Sequence, residues 1–160
     1  MLLIDGYNVL FKTARGIRDG RGLAEERERL VARIGRHCAA TNQRAKIFFD
    51  PKRGGGTPAF DRVRKVPPVE VVQLSEVSAD DAIKAVVESG TDRTAYRVIS
   101  SDREVAGAAQ KKNFETMPAD EFLAELDRSE AGAPPEKPDG LGPGGLKYWM
   151  DQFGLGGAQQ

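Results

Sequence analysis

LLID at residues 2–5 and AKIFFD at residues 45–50 share one design, a short apolar run that ends in an acid. Such runs fit strands buried on both faces, with a polar carboxyl end. VEVVQL at 69–74 and RVI at 97–99, which leads into Ser100, Ser101 and Asp102, repeat it, and Phe114–Met117 reads as a short fifth strand. Helical patterns lie between them. In Leu23–Cys38 the apolar residues Leu23, Leu30, Val31, Ile34 and Cys38 recur at helical spacing, with Glu and Arg filling the other face. Ser78 is a natural N-cap for a helix running through Glu88. Arg103–Lys111 and Ala119–Asp127, the latter opened by Pro118, complete the set. Strands alternating with helices predict an α/β fold with a mostly parallel sheet.

The 160 residues suit one domain with an appendage. From Gly132 onward, Gly and Pro supply 12 of the 26 residues up to Gly157, too many for a packed element. The chain therefore divides into a domain over 1–131 and a linker with a short amphipathic segment over 132–160. In that segment Leu146, Trp149, Met150 and Phe153 would share one helical face, to dock either on the domain itself or on a protein partner. No apolar run is long enough for a membrane span, and Leu2–Ile4 leads straight into Asp5, unlike a signal peptide, so the expectation is a soluble, cytoplasmic protein without a membrane partner. One cysteine, Cys38, and one histidine, His37, argue against a disulfide framework and against zinc chemistry. Both sit within the helical pattern and read as structural.

The formal net charge is zero, but it is an average. Residues 1–66 carry 15 Lys and Arg against 7 Asp and Glu, and the remainder carries 9 against 17. A basic surface beside an acidic centre suits a metal-dependent enzyme acting on a polyanion. In a parallel α/β sheet the strands' carboxyl ends and the amino ends of the following helices share one edge, where ligands bind. Asp5, Asp50, Asp80, Asp81 and Asp102 all fall at that edge. Each alone has a structural reading, Asp50 before Pro51 most of all, because Asp is common in turns and first helical turns. Together they would repel, and Mg²⁺ or Mn²⁺ suits an all-oxygen set that must stay ionised. A cation so held can activate water for phosphodiester hydrolysis. The glycines at 54–56 lack a P-loop's terminal Gly-Lys-Ser/Thr and read as part of a basic loop, in which Lys52 and Arg53, helped by Arg62, Arg64 and Lys65, would clamp phosphates. Lys12, Arg15 and Arg18 extend that surface. A haloacid-dehalogenase phosphatase needs a second acid two residues after the first, where this chain has Tyr7, and a response-regulator receiver needs an acidic pair after its first strand.

LLIDGYNVL at 2–10, FFD at 48–50, SADDAI at 78–83 and ISSDRE at 99–104, in this order and spacing, resemble the YacP-like branch of the NYN family, within the PIN-like nucleases. The resemblance covers about residues 1–130. It implies a three-layer α/β/α sandwich and metal-dependent endoribonuclease activity on RNA, with the ribosome or another ribonucleoprotein as a candidate presenter of the substrate. It places the first-strand acid on Asp5 with Asn8 as its polar partner, the central acid on Asp80 with Asp81 beside it, and the late acid on Asp102 after Ser100 and Ser101. Asp5, Asp80 and Asp102 are then the expected metal ligands, and Asp81 a further ligand or a base that orients water. Asn8 and Ser101 would position the ligands or the scissile phosphate. The rival readings are a non-catalytic RNA-binding adaptor and a nuclease acting on DNA.

Overall fold

The chain forms β1 (Leu2–Asp5), α1 (Gly6–Thr13), α2 (Gly20–Ala40), β2 (Ala45–Phe49), β3 (Arg62–Val66), β4 (Val69–Gln73), α3 (Ala79–Ser89), β5 (Arg97–Ile99), α4 (Arg103–Lys111), β6 (Glu115–Met117) and α5 (Ala119–Ala131). This computed structural model describes residues 1–13, 20–51, 61–89 and 96–132. The expected linker and Trp149 segment therefore lie outside the described residues, as do Arg15, Arg18, Lys52 and Arg53.

The six strands make one sheet in the order β3-β4-β2-β1-β5-β6, parallel except for β3. From β1 the chain moves outward through β2 to β4, then returns across the sheet through α3 to place β5 on the other side of β1. The direction of winding reverses between β1 and β5, and a crevice opens at the carboxyl ends of strands at such a point. The apolar patterning explains why the central strands lie there: all four residues of β1 are buried, as are Ile47, Phe48 and Phe49 of β2.

Alternation along the strands sends side chains to two cores, one on each face. Leu2, Ile4, Ile47 and Phe49 pack with Val9, Leu10, Leu30, Ile34, Phe122 and Leu126 from α1, α2 and α5. Leu3, Phe48, Val72 and Val98 pack with Ile83, Val87, Val105 and Ala109 from α3 and α4. The result is the expected three-layer α/β/α arrangement. No described helix is long and apolar enough to cross a membrane. His37 and Cys38 are buried on α2; the His37 ring meets the Ser129 hydroxyl at 2.6 Å and the edge of Phe122, and burial pushes the Cys38 thiol up to about 11.

Two elements depart from the sequence expectation. GYNVLFKT forms a helix that begins directly after β1, with no connecting residue. Gly6 is required there because a Cβ would lie 2.5 Å from Phe49 Cε1 and 2.6 Å from Phe49 Cδ1. Arg62–Val66, expected as part of the basic loop, is an antiparallel edge strand paired with β4 and exposed along its whole length. Charged residues on an exposed edge also protect the sheet from pairing with another chain.

Gly6→Ala should lower stability by about 1–3 kcal/mol, since the Phe49 ring is locked between packed layers. Gly107→Ala, in α4 where a Cβ meets nothing within 4 Å, should raise it by about 0.5–1 kcal/mol. Urea denaturation midpoints check both, and equal midpoints for the two variants would contradict the packing argument.

Candidate active site

Three of the acids at the carboxyl edge are fixed by the amino ends of helices. Asp5 closes β1 and, through Oδ1, accepts the Asn8 backbone N–H of α1 at 3.3 Å. Asp102 is the N-cap of α4, its Oδ1 accepting the N–H groups of Glu104 at 2.8 Å and Val105 at 3.2 Å. Asp50, just after β2, reaches across to the first residue of α3, where Oδ1 accepts the Ala79 N–H at 2.7 Å. Orphan helical N–H groups and the positive end of the helix dipole explain the preference for Asp at each place. Ser78 caps α3 as expected, its hydroxyl accepting the Asp81 N–H at 3.1 Å.

Asp80 enters from the first turn of α3 and forms a side-chain hydrogen bond with Asp5. Asp5 is 6% exposed. Burial, then the Asp80 hydrogen bond and the charges of Asp80 and Asp50 push the Asp5 carboxyl up to about 7, against the lowering effect of the Asn8 N–H. Burial also raises Asp80, with Asp102 and Asp50 adding to it, while the hydrogen bond from Asp5 and the Lys84 charge oppose it. The pair thus holds a proton in common near neutral pH. Asp80 Oδ1 is buried without any hydrogen-bond partner.

The remaining expected site residues fall into three groups. Asn8 and Ser101 tie the rim together: Asn8 Oδ1 accepts the Ser101 N–H at 2.9 Å, and Ser101 Oγ accepts the Ala119 N–H at the start of α5. Ser100, buried beneath them, accepts the Asp102 N–H. Asp81 is solvent-exposed, and its charge acts on Lys84. Of the basic residues, Lys12 lies 3.7 Å from Asp120, and both guanidinium nitrogens of Arg64 bond the exposed Glu28 at 2.8 and 3.1 Å. Arg62 pairs in register with Gln73 at the acid end of β4, whereas Lys65 sits opposite Glu70 toward the other end.

A divalent cation fits the chemistry at Asp5 and Asp80. The two carboxylates are hard oxygen donors, they already need a positive charge to stay together, and the orphaned Asp80 Oδ1 is a buried acceptor awaiting a partner. No three His, Cys, Asp or Glu side chains among the described residues form a ready-made ligand set; the Asp102 carboxylate caps α4, and its charge acts on Asp80.

Sequence reading passed over Arg27, Tyr7 and Gln73. The Arg27 guanidinium lies 4.0 Å from the Phe49 ring centroid and 5.6 Å from that of Tyr7, and donates to Tyr7 Oη at 3.3 Å and Gln73 Oε1 at 2.9 Å. Gln73 in turn donates to the Asp50 carbonyl at 2.8 Å. Nothing in the local sequence separates Arg27 from its neighbours in a helix rich in Arg and Glu.

Comparison with known proteins agrees with this architecture. The profile of the family described as the YacP-like NYN domain matches residues 2–138. The crystal structure of Rae1 (YacP) from Bacillus subtilis superposes with a TM-score of 0.68 at 20% identity, covering 98% of this chain and 84% of that one. Its W164L mutant gives 0.62 at 23% identity, covering 81% and 76%. No curated protein matches the sequence.

Asp5→Asn should stabilise the metal-free protein, because an amide can keep the Asn8 contact and donate to Asp80 with no carboxylate repulsion. The folded protein holds the Asp5 proton more tightly than the unfolded chain does. The wild type's stability therefore falls as pH rises from about 4 through about 7. The variant's advantage should be small at pH 5 and of the order of 2 kcal/mol at pH 8. Thermal melts in EDTA across that range check it, and an advantage independent of pH would contradict the shared-proton description.

Proposed function

The chain belongs to the YacP-like NYN domain family, and from that premise we propose that it is a cytoplasmic, divalent-metal-dependent endoribonuclease. The observation that carries the reading is the pair of buried Asp5 and half-buried Asp80, raised in pKa and with one unpartnered oxygen, at the carboxyl edge between β1 and β5. Two carboxylates held together with one of them buried cost stability, and cation-assisted hydrolysis is a function that such an arrangement serves.

Asp5 and Asp80 would hold Mg²⁺ or Mn²⁺, giving up their shared proton. When bound, the cation lowers the pKa of a water and offsets the charge that builds on the phosphate oxygens. The remaining residues orient and tune. Asn8 ties β1 and α1 to the Ser101 backbone, next to Asp102, and so would hold that segment in place beside the pair. Ser101 carries this restraint to α5. Asp50 and Asp102 add negative potential while their carboxylates remain anchored to helical N–H groups. Exposed Asp81 would orient or deprotonate the attacking water, and Arg62, opposite Gln73, would meet the substrate backbone.

Incubation with labelled single-stranded RNA and DNA should give internal cleavage of RNA in Mg²⁺ or Mn²⁺ and none in EDTA. Asp80→Asn should lower the rate by at least about 100-fold while remaining folded, since it removes a ligand charge and relieves repulsion. Binding of RNA without cleavage in any metal would favour the adaptor reading. Cleavage of DNA alone would move the substrate class.

A further inference from the structure

Among the described residues, Arg27 is a cation without an anionic partner. It is half-buried on α2, its guanidinium carbon lies over the Phe49 ring, and its two hydrogen bonds within the described residues go to neutral groups, the Tyr7 hydroxyl and the Gln73 amide oxygen. Neighbouring acids on the same helix are engaged elsewhere, Glu26 with Arg29 and Glu28 with Arg64. A guanidinium has five N–H donors in a fixed fork, so donors remain after these two bonds. Removing such a group partly from water without a carboxylate to offset it is a cost that an incoming anion can repay.

Its position says which anion. Tyr7 lies two residues after Asp5, and Gln73, which holds one arm of the fork, also holds the Asp50 carbonyl. Arg27 is thereby fixed at the carboxyl edge on the β2–β4 side of the acid pair. Gly6 permits the close approach of Phe49 on which the stack depends. The rigid stack removes much of the entropy cost of ordering an arginine and leaves the fork geometry suited to two oxygens of one phosphate. We propose that Arg27, oriented by Phe49, Tyr7 and Gln73, forms a phosphate subsite that grips the RNA backbone next to the scissile position. This subsite rests on the ribonuclease reading and adds to it a fixed contact for the backbone, separate from the acids that would hold the metal.

The test is the salt dependence of binding. Fluorescence anisotropy of a 5′-labelled single-stranded RNA in EDTA, titrated with wild type, Arg27→Met and Arg27→Lys over a range of salt, reads the phosphate contact directly. Arg27→Met keeps a stem to cover Phe49 and removes the charge. It should bind several-fold more weakly and show a log–log salt slope shallower by about 0.7, the loss of one single-strand phosphate contact. Arg27→Lys should keep the wild-type slope while recovering only part of the affinity, since the fork is gone but the charge remains. In metal-dependent cleavage, Arg27→Met should raise KM by a similar factor with kcat within about twofold. A merely structural arginine would lower the melting temperature or kcat and leave the slope alone. A wild type that cleaves RNA beside an Arg27→Met variant with an unchanged slope overturns the subsite alone. A wild type that neither binds nor cleaves RNA overturns the ribonuclease reading and the subsite with it.

Discussion

Carboxylates gathered on one protein edge repel one another, and this fold manages the repulsion by setting helix amino-termini beneath them. Asp5 accepts from α1, Asp50 from α3 and Asp102 from α4, so three acids from three strands are each tied to backbone N–H groups. Those bonds favour the charged form and fix where each carboxylate lies. The parallel sheet makes the arrangement possible, because its winding brings strand ends and helix starts to a single rim. Asp80 breaks the balance. It comes from the first turn of α3 against buried Asp5, and burial raises both carboxyls.

Much of this was legible in the sequence, since an apolar run ending in an acid is a strong local signal. β1, β2, β5 and α4 fall at the residues expected, and Ser78 caps α3. Where reading failed, local chemistry pointed elsewhere. No helix was expected after Asp5, yet Gly6–Thr13 is helical, and the glycine answers a distant demand, the Phe49 ring of the next strand. Arg62–Val66 is charged and exposed on both faces, so no burial pattern distinguishes an edge strand from a loop. α5 runs on to Ala131, past the expected Asp127, and there Asp127 and Glu130 pair with Arg33 of α2.

For the site, the structural and functional explanations of an acid turn out to be compatible. Asp102 and Asp50 are caps, as a cautious reading of Asp in a first turn or loop holds, and they also supply the potential that acts on Asp80. Sequence spacing brings the acids to one edge but cannot say which two touch; that depends on how deeply α3 sits against β1. Arg27 was hidden for a similar reason: its partners, Tyr7, Phe49 and Gln73, lie on three other elements.

The central claim is that the Asp5–Asp80 pair is a cation site whose shared proton stands in for the metal. A crystal structure of the protein grown or soaked with Mn²⁺, with anomalous scattering recorded at an energy that reports manganese, tests it most directly. The account predicts an anomalous peak in bonding contact with a carboxylate oxygen from each of Asp5 and Asp80, with Asp80 Oδ1 no longer unpartnered. Manganese bound only elsewhere, or an Asp5–Asp80 hydrogen bond that persists unchanged at saturating Mn²⁺, would contradict it.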